Sequence, residues 1–314
     1  MTPLVREIFG VSFANPVLLA AGTCGFGREL SEVLDLDVLG GFVTKSVTLE
    51  PRWGNPAPRV SEFPGGMLNS IGLANPGVEV VRKEKLPWIR ERVRRAKVFV
   101  SVAGHSPEEF EEIVLRLDGE AGFVGYELNL SCPNDARRSS LPFALDPEAL
   151  VEVLGRVRER TDRPLVAKLA PNTPDFPRMA GLAHQSGADG ITVVNTIPGY
   201  LSRPEGGASA LGAGSGGVSG PLLRPVGVHA VRSVVASVPL PVVGVGGVSR
   251  PEHVLEYLAA GASLVQVGTA TFADPRAALR VIRGLDRIGG LPERDVPTAV
   301  FPEVAMNQEK GVDG

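Results

Sequence analysis

Apolar positions along the chain gather into eight short runs: PVLLAAG from Pro16, GFVTKSV from Gly41, KVFVSVAG from Lys97, YELNLS from Tyr126, PLVAKLA from Pro164, GITVVNT from Gly190, PVVGVGG from Pro241 and SLVQVGT from Ser263. Each run is nearly continuously apolar instead of alternating. That pattern belongs to parallel strands covered on both faces. A polar loop follows each run, and then a segment with helical spacing. PEEFEEIVLRL from Pro107 puts proline in the first turn with acids beside it, which suits the positive end of a helix dipole. PEALVEVLGRVRER from Pro147 follows Asp146, a candidate N-cap, and PEHVLEYLAAGA from Pro251 closes on Gly261, a candidate C-cap. About eight strand–helix units predict an α/β fold of the (β/α)8 barrel type, with an open doubly wound sheet as the alternative. No boundary or internal repeat interrupts residues 1–314, so one barrel domain is expected.

Two connections are too long for a plain barrel. Residues 48–76 carry PRWGNPAPR and PGGMLNSIGLANPG, and residues 196–220 carry GGASALGAGSGGVSG. Both follow predicted strands, so both project from the C-terminal face, where barrels build their sites. The first mixes Trp53, Phe63, Met67 and Leu68 with its turns and is too apolar for a linker. For the second, a mobile Gly/Ser linker and a site loop are equally compatible with the sequence.

Composition excludes more than it assigns. The net charge is −3 and no basic block stands out, which gives nucleic-acid binding little support. Arg90, Arg92, Arg94 and Arg95 read as a solvated helix face. Two cysteines, Cys24 and Cys132, are too few for a cysteine-rich zinc or iron–sulfur site. The four histidines (His105, His184, His229, His253) lack metal-ligand spacing, so no metal is expected. The chain begins without a signal-peptide pattern and has no membrane-length apolar run, which points to the cytoplasm and free thiols.

Four groups of residues could carry chemistry. Cys132 lies in NLSCPND, at the end of a predicted strand and among hydrogen-bonding neighbours; Cys24 has the surroundings of an inert thiol. Asn69, Asn129, Asn134 and Asn195 each pair a donor with an acceptor and would suit a flat, amide-rich ligand such as a pyrimidine. Lys45 and Lys168 sit inside strands, where lysine needs a partner. Either a Schiff base or a fixed positive charge beside an anionic ligand fits them. GVGGV (244–248) and VGTA (267–270) end the last two strands, where barrels bind phosphate through backbone N–H groups; a cofactor such as FMN would fit.

TKSVTLEPRWGNPAPR, GGMLNSIGLANPG, LNLSCPN, VAKLAPN, VVNT, GGVSGP, VGVGGV and QVGTA occur in one order along most of the chain. In that order the sequence resembles the dihydroorotate dehydrogenases, the flavin enzymes of pyrimidine synthesis. The resemblance implies a barrel that holds FMN at its C-terminal face, with dihydroorotate stacked on the flavin and oxidised to orotate. Class 1 members use cysteine as the base that removes the C5 proton, and Cys132 occupies that position. The PRWGNPAPR and PGGMLNSIGLANPG stretches resemble subclass 1B, whose members pair with an electron-transfer subunit carrying FAD and a [2Fe–2S] cluster and pass electrons to NAD⁺. A homodimer or heterotetramer is then expected, without nucleic-acid or membrane partners. The fumarate-using subclass 1A, a dihydropyrimidine dehydrogenase-like reductase and a Schiff-base lyase barrel are the alternatives.

Carried over position by position, the resemblance puts Lys45 beside flavin and substrate, Ser46 on FMN, and Asn69, Ser70, Ile71, Gly72 and Leu73 on the substrate. Asn129 would contact both ligands. Asn134, Asn195 and Thr196 would hold the pyrimidine or its carboxylate. Lys168 would sit near the flavin, Val194 and Gly220 would offer backbone contacts, and Gly246, Gly247, Gly268 and Thr269 would cradle the phosphate. Three features depart from the family. Ser101 stands where asparagine is common, Ala21 stands where a small hydroxyl residue is common, and DARRSSLPFALDP (135–147) replaces a Gly-rich stretch, adding Arg137 and Arg138 to a loop expected to cover the base.

Overall fold

The computed structural model describes residues 4–130, 141–203 and 206–289. All eight predicted runs are parallel strands: β1 (Val17–Leu19), β2 (Gly41–Val43), β3 (Lys97–Val102), β4 (Gly125–Asn129), β5 (Leu165–Lys168), β6 (Gly190–Val193), β7 (Val242–Val245) and β8 (Leu264–Val267). Each pairs with its neighbours in sequence order, and β8 pairs with β1 to close the barrel. Closure removes the doubly wound alternative. The strands are buried on both faces, which explains their unbroken apolar character.

Helices wrap the outside. The three predicted from sequence are α1 (Pro107–Leu117), α2 (Pro147–Arg158) and α3 (Pro251–Ala259). In α1 the apolar face is Phe110, Ile113, Val114 and Leu117, the i, i+3, i+4, i+7 spacing that a helix needs to lie on a sheet. Asp146 caps α2 by accepting from Ala149 N. Gly261, at φ +106°, follows the last turn of α3 and donates its N–H to Leu258. The arginine cluster divides: Arg90 and Arg92 end a helix, while the N–H groups of Arg94 and Arg95 leave it and donate to the Asp37 carboxylate. No helix among the described residues is long and apolar enough to cross a membrane.

The barrel interior is layered. Its N-terminal end is filled by Leu18, Val43, Phe99, Val166, Val243 and Leu264. A hairpin (Arg6–Ile8 with Val11–Phe13) plugs that end, turning at Phe9 and Gly10, both at positive φ. The rings of Phe9 and Phe13 lie on Phe99 at centroid distances of 5.7 and 6.5 Å. Above the apolar layer comes a polar one, and above that a cavity.

The two long connections meet at the C-terminal face. Strands Val60–Phe63 and Gly66–Asn69 come from the first, and Ile197–Gly199 and Gly216–Ser219 from the second. They form one antiparallel four-stranded sheet, in which Gly217 pairs with Asn69 and Ser219 with Met67. The second connection is therefore a site loop at both ends and not a linker. Asn75 secures the first: its amide donates to Thr48 Oγ1 and to the Leu73 carbonyl, both at 2.7 Å, and its Oδ1 accepts from Gly77 N. Leu68 is buried as expected, but Trp53 is 94% exposed, so its apolar ring does not pack into the loop.

Candidate active site

A cavity of about 290 Å³ lies between the strand ends and the capping sheet. Among the described residues expected at the site, Ala21, Lys45, Ser46, Asn69, Ile71, Gly72, Leu73, Asn129, Lys168, Val194, Asn195, Thr196, Gly220, Gly246, Gly247, Gly268 and Thr269 all line it. Ser70 and Ser101 do not. Ser70 is buried and accepts from the Asn55 amide at 2.7 Å. Ser101 is fully buried behind Ser46, its hydroxyl 2.8 Å from the Ser46 hydroxyl. Cys132 and Asn134 fall outside the described residues.

Backbone geometry puts these groups where they are. Asn129 is the last residue of β4 and points into the barrel. Its amide donates to Ser46 Oγ at 3.2 Å and its Oδ1 accepts from Asn195 Nδ2 at 3.3 Å. Asn195 Oδ1 accepts from Thr196 N at 2.8 Å. A chain of amides and hydroxyls thus runs across the barrel mouth from β3 to β6. Asn69 joins from above, donating to the Gly217 carbonyl at 3.1 Å. Gly72 and Leu73 both adopt positive φ, 68° and 55°, which turns the Ile71–Leu73 backbone toward the cavity. A leucine there is strained, a feature that clusters at functional sites.

The two lysines have different surroundings. Burial lowers the pKa of Lys45 from its ordinary value; Arg59 lowers it further, and Glu29 opposes the shift. Lys168 is paired: its Nζ donates to Glu127 Oε1 at 3.1 Å inside the barrel. That ion pair is the wrong environment for a free amine nucleophile. Burial pushes the Cys24 thiol up to about 12, with a smaller contribution from Glu29, so it is the inert thiol expected.

The far wall suits a phosphate. The N–H groups of Gly247, Gly268 and Thr269 donate to no other described residue. An added Cβ at Gly268 would have Ala20 Cβ, at 3.7 Å, as its nearest neighbour and would stand in the cavity itself. No three metal-ligating side chains cluster among the described residues. Ala20, Gly22, Thr23, Val60, Met67, Ser219, Leu223, Val245 and Phe272, which were not assigned a role from sequence, also line the cavity. Met67 and Ser219 show in the sequence through their place in the two long connections and in the stretches GGMLNSIGLANPG and GGVSGP.

A barrel with a glycine cradle after β7 and β8, an amide-rich wall opposite and a buried lysine between them is built for a flat phosphorylated cofactor and a polar planar substrate. The dihydroorotate dehydrogenase family model matches residues 3–288. The chain is 40% identical over 280 residues to the catalytic subunit of dihydroorotate dehydrogenase B (NAD⁺) from Citrifermentans bemidjiense, covering 89% of this chain and 91% of that one. It is 42% identical over 285 residues to the protein of the same name from Thermodesulfovibrio yellowstonii, covering 91% and 93%. It is also 43% identical over 288 residues to a protein provisionally named dihydroorotate dehydrogenase A (fumarate) from Solibacter usitatus, covering 91% and 94%. The chain belongs to the dihydroorotate dehydrogenase family. It is an FMN-dependent oxidoreductase that converts dihydroorotate to orotate, and the Schiff-base alternative falls.

Proposed function

We propose that the cavity holds FMN and dihydroorotate together and that Cys132 removes the C5 proton of the substrate. What carries this reading is a single cavity with two chemically different walls: unpartnered glycine N–H groups on one side, and Lys45 with the asparagine chain on the other. Gly246, Gly247, Gly268 and Thr269 hold the phosphate, as N–H groups do for anions at such loops. When bound, FMN would supply the acceptor for the hydride that leaves substrate C6. Lys168 supplies positive charge for a cofactor that gains electrons, and Ser46 and Asn129 fix its position. Lys45, buried and with the Arg59 charge nearby, gains a counter-charge from the substrate carboxylate. Asn69, Asn129, Asn195 and Thr196, with Asn134, orient the pyrimidine amides. Ser101 acts behind Ser46 and not on the cofactor, a consequence of its short side chain. The whole chain works as one barrel domain.

We place the physiological acceptor at NAD⁺, reached through a separate subunit carrying FAD and a [2Fe–2S] cluster. The names of the two B-type relatives support this, as does the PRWGNPAPR segment. The A-type name of the third relative supports fumarate as a second reading. Anaerobic mixing of the flavin-loaded chain with dihydroorotate, then with fumarate or NAD⁺, tests both. The expected result is prompt bleaching and slow reoxidation by either acceptor when the chain is alone. Rapid reoxidation by fumarate assigns the A type, and no bleaching by dihydroorotate overturns the reading.

A further inference from the structure

A carboxylate lies directly beneath the cavity floor. Glu127 is 2% exposed and sits on β4, two residues before Asn129. Its Oε1 accepts from Lys168 Nζ of β5 at 3.1 Å. Its Oε2 accepts from the Thr192 hydroxyl of β6 at 2.9 Å and from the Gln266 amide of β8 at 2.8 Å. Four strands thus place one polar layer across the barrel interior, between the apolar plug and the cavity. Burying a charge there is costly unless it is paired and hydrogen-bonded, and Glu127 is both. A core filled for stability alone would use aliphatic side chains here, as the layer below does.

Among the three donors, only Lys168 also lines the cavity. We infer that Glu127 is a positioning residue for the flavin: it holds the Lys168 ammonium at the cavity floor and offsets its charge, so that the site does not bind reduced flavin too tightly. This rests on the reading above that Lys168 faces the cofactor. The physical reasoning is electrostatic. A lysine–carboxylate pair presents a dipole to the cavity, whereas an unpaired ammonium presents a full charge whose field falls off more slowly in a low-dielectric interior. Losing the carboxylate charge should therefore favour the electron-rich form of the cofactor over the oxidised form.

The Glu127→Gln variant removes the charge and keeps the shape. Gln266 Oε1 is buried without a hydrogen-bond partner, so turning the Gln266 amide lets it accept from the new amide donor. The layer can then re-pair without a cavity. The experiment measures the flavin midpoint potential with a reference dye, together with FMN binding to apoprotein whose folding is checked by circular dichroism. The expected result for Glu127→Gln is a tenfold or greater tightening of reduced over oxidised flavin, which for a two-electron couple is an upward shift of about 30 mV. Glu127→Asp keeps the charge but draws it back by one methylene, and it should shift the potential in the same direction by less. Should the glutamine variant not fold, the aspartate variant alone carries the test. In a Lys168→Met background the effect of Glu127→Gln should shrink, because no ammonium is left for the carboxylate to hold in place.

An unchanged or lowered potential in the folded Glu127 variants overturns the inference. So does a shift as large without Lys168 as with it. If Lys168→Met itself leaves the potential at its wild-type value, the placement of Lys168 at the flavin is refuted and the role of Glu127 falls with it. A shift in Lys168→Met with none in Glu127→Gln refutes the Glu127 role alone.

Discussion

Gly217 brings the capping sheet against Thr196 at the barrel mouth. It pairs with Asn69 in the sheet, and its carbonyl accepts from the Asn69 amide. An added Cβ would lie 2.6 Å from Thr196 Cβ and closer still to Thr196 Oγ1. Ordinary contact begins at 3.4 Å, so Gly217 and Thr196, just ahead of the strand Ile197–Gly199, must part by at least about 0.8 Å. The φ of Gly217 is not in the left-handed region, so alanine there is opposed by sterics and not by backbone conformation. Overpacking of this kind costs about 1–3 kcal/mol of stability. Its effect on catalysis is argued separately: Thr196 and Asn69 both line the cavity, and a misplacement near 1 Å can cost about 100-fold. Gly217→Ala should therefore lower kcat/KM for dihydroorotate by about 10- to 100-fold, or about 1.4–2.7 kcal/mol of transition-state stabilisation. FMN content should be unchanged, because the glycine cradle belongs to β7 and β8. The assay is steady-state oxidation with a dye acceptor, alongside orotate binding followed by flavin absorbance. A folded Gly217→Ala protein with kcat/KM and orotate affinity within twofold of wild type would refute the claim that the capping sheet sets substrate position.

Cys24 should resist alkylation in the native protein: at pH 8 a thiol with a pKa near 12 is ionised in only about one molecule in ten thousand, so peptide mapping that finds it labelled within minutes contradicts its burial. Lys45→Met should stabilise the apoprotein in chemical denaturation at neutral pH while abolishing measurable orotate binding. The sign follows from the lowered folded pKa: the cost of the charged lysine is fully present below that pKa and is relieved as pH rises through it toward the unfolded value. The stability gain of the variant should accordingly shrink on the alkaline side, and a destabilised variant at neutral pH would contradict it. Phe99→Ala removes the ring on which both plug aromatics lie and should cost about 3–5 kcal/mol in the same denaturation experiment; a loss under 1 kcal/mol would mean that the hairpin does not seal the barrel.

The fold was legible because its signal is local. Eight apolar runs need no partner to be recognised, and the helix caps at Asp146 and Gly261 are set by their own side chains and backbone. The plug hairpin was not legible: its strands are three residues long, too short for a period to show. Nor was the capping sheet, whose central pair joins residues about 150 positions apart, beyond the reach of any local pattern. Trp53 misleads because an aromatic residue in a loop can equally face solvent. At the site, Asn129, Asn195 and Lys168 betray themselves as polar groups at strand ends. Glu127 shares a strand with Asn129, yet one acid in YELN gives no hint of the lysine, threonine and glutamine that meet it from three other strands. Ser101 shows the limit of carrying a position across a family: its hydroxyl lies 2.8 Å from that of Ser46, and it does not line the cavity.

Single-turnover reduction of the flavin under anaerobic conditions, comparing wild type with Cys132→Ser near neutral pH, puts the most weight on the central assignment. A positioned general base contributes about 10²–10⁴-fold, and a serine hydroxyl is a far weaker base than a thiolate. Dihydroorotate should bleach the wild-type flavin promptly and the variant at least about 100-fold more slowly, with FMN content and orotate affinity little changed. Equal bleaching rates in the two proteins would show that the proton leaves by another route and that the sulfur of residue 132 is a bystander.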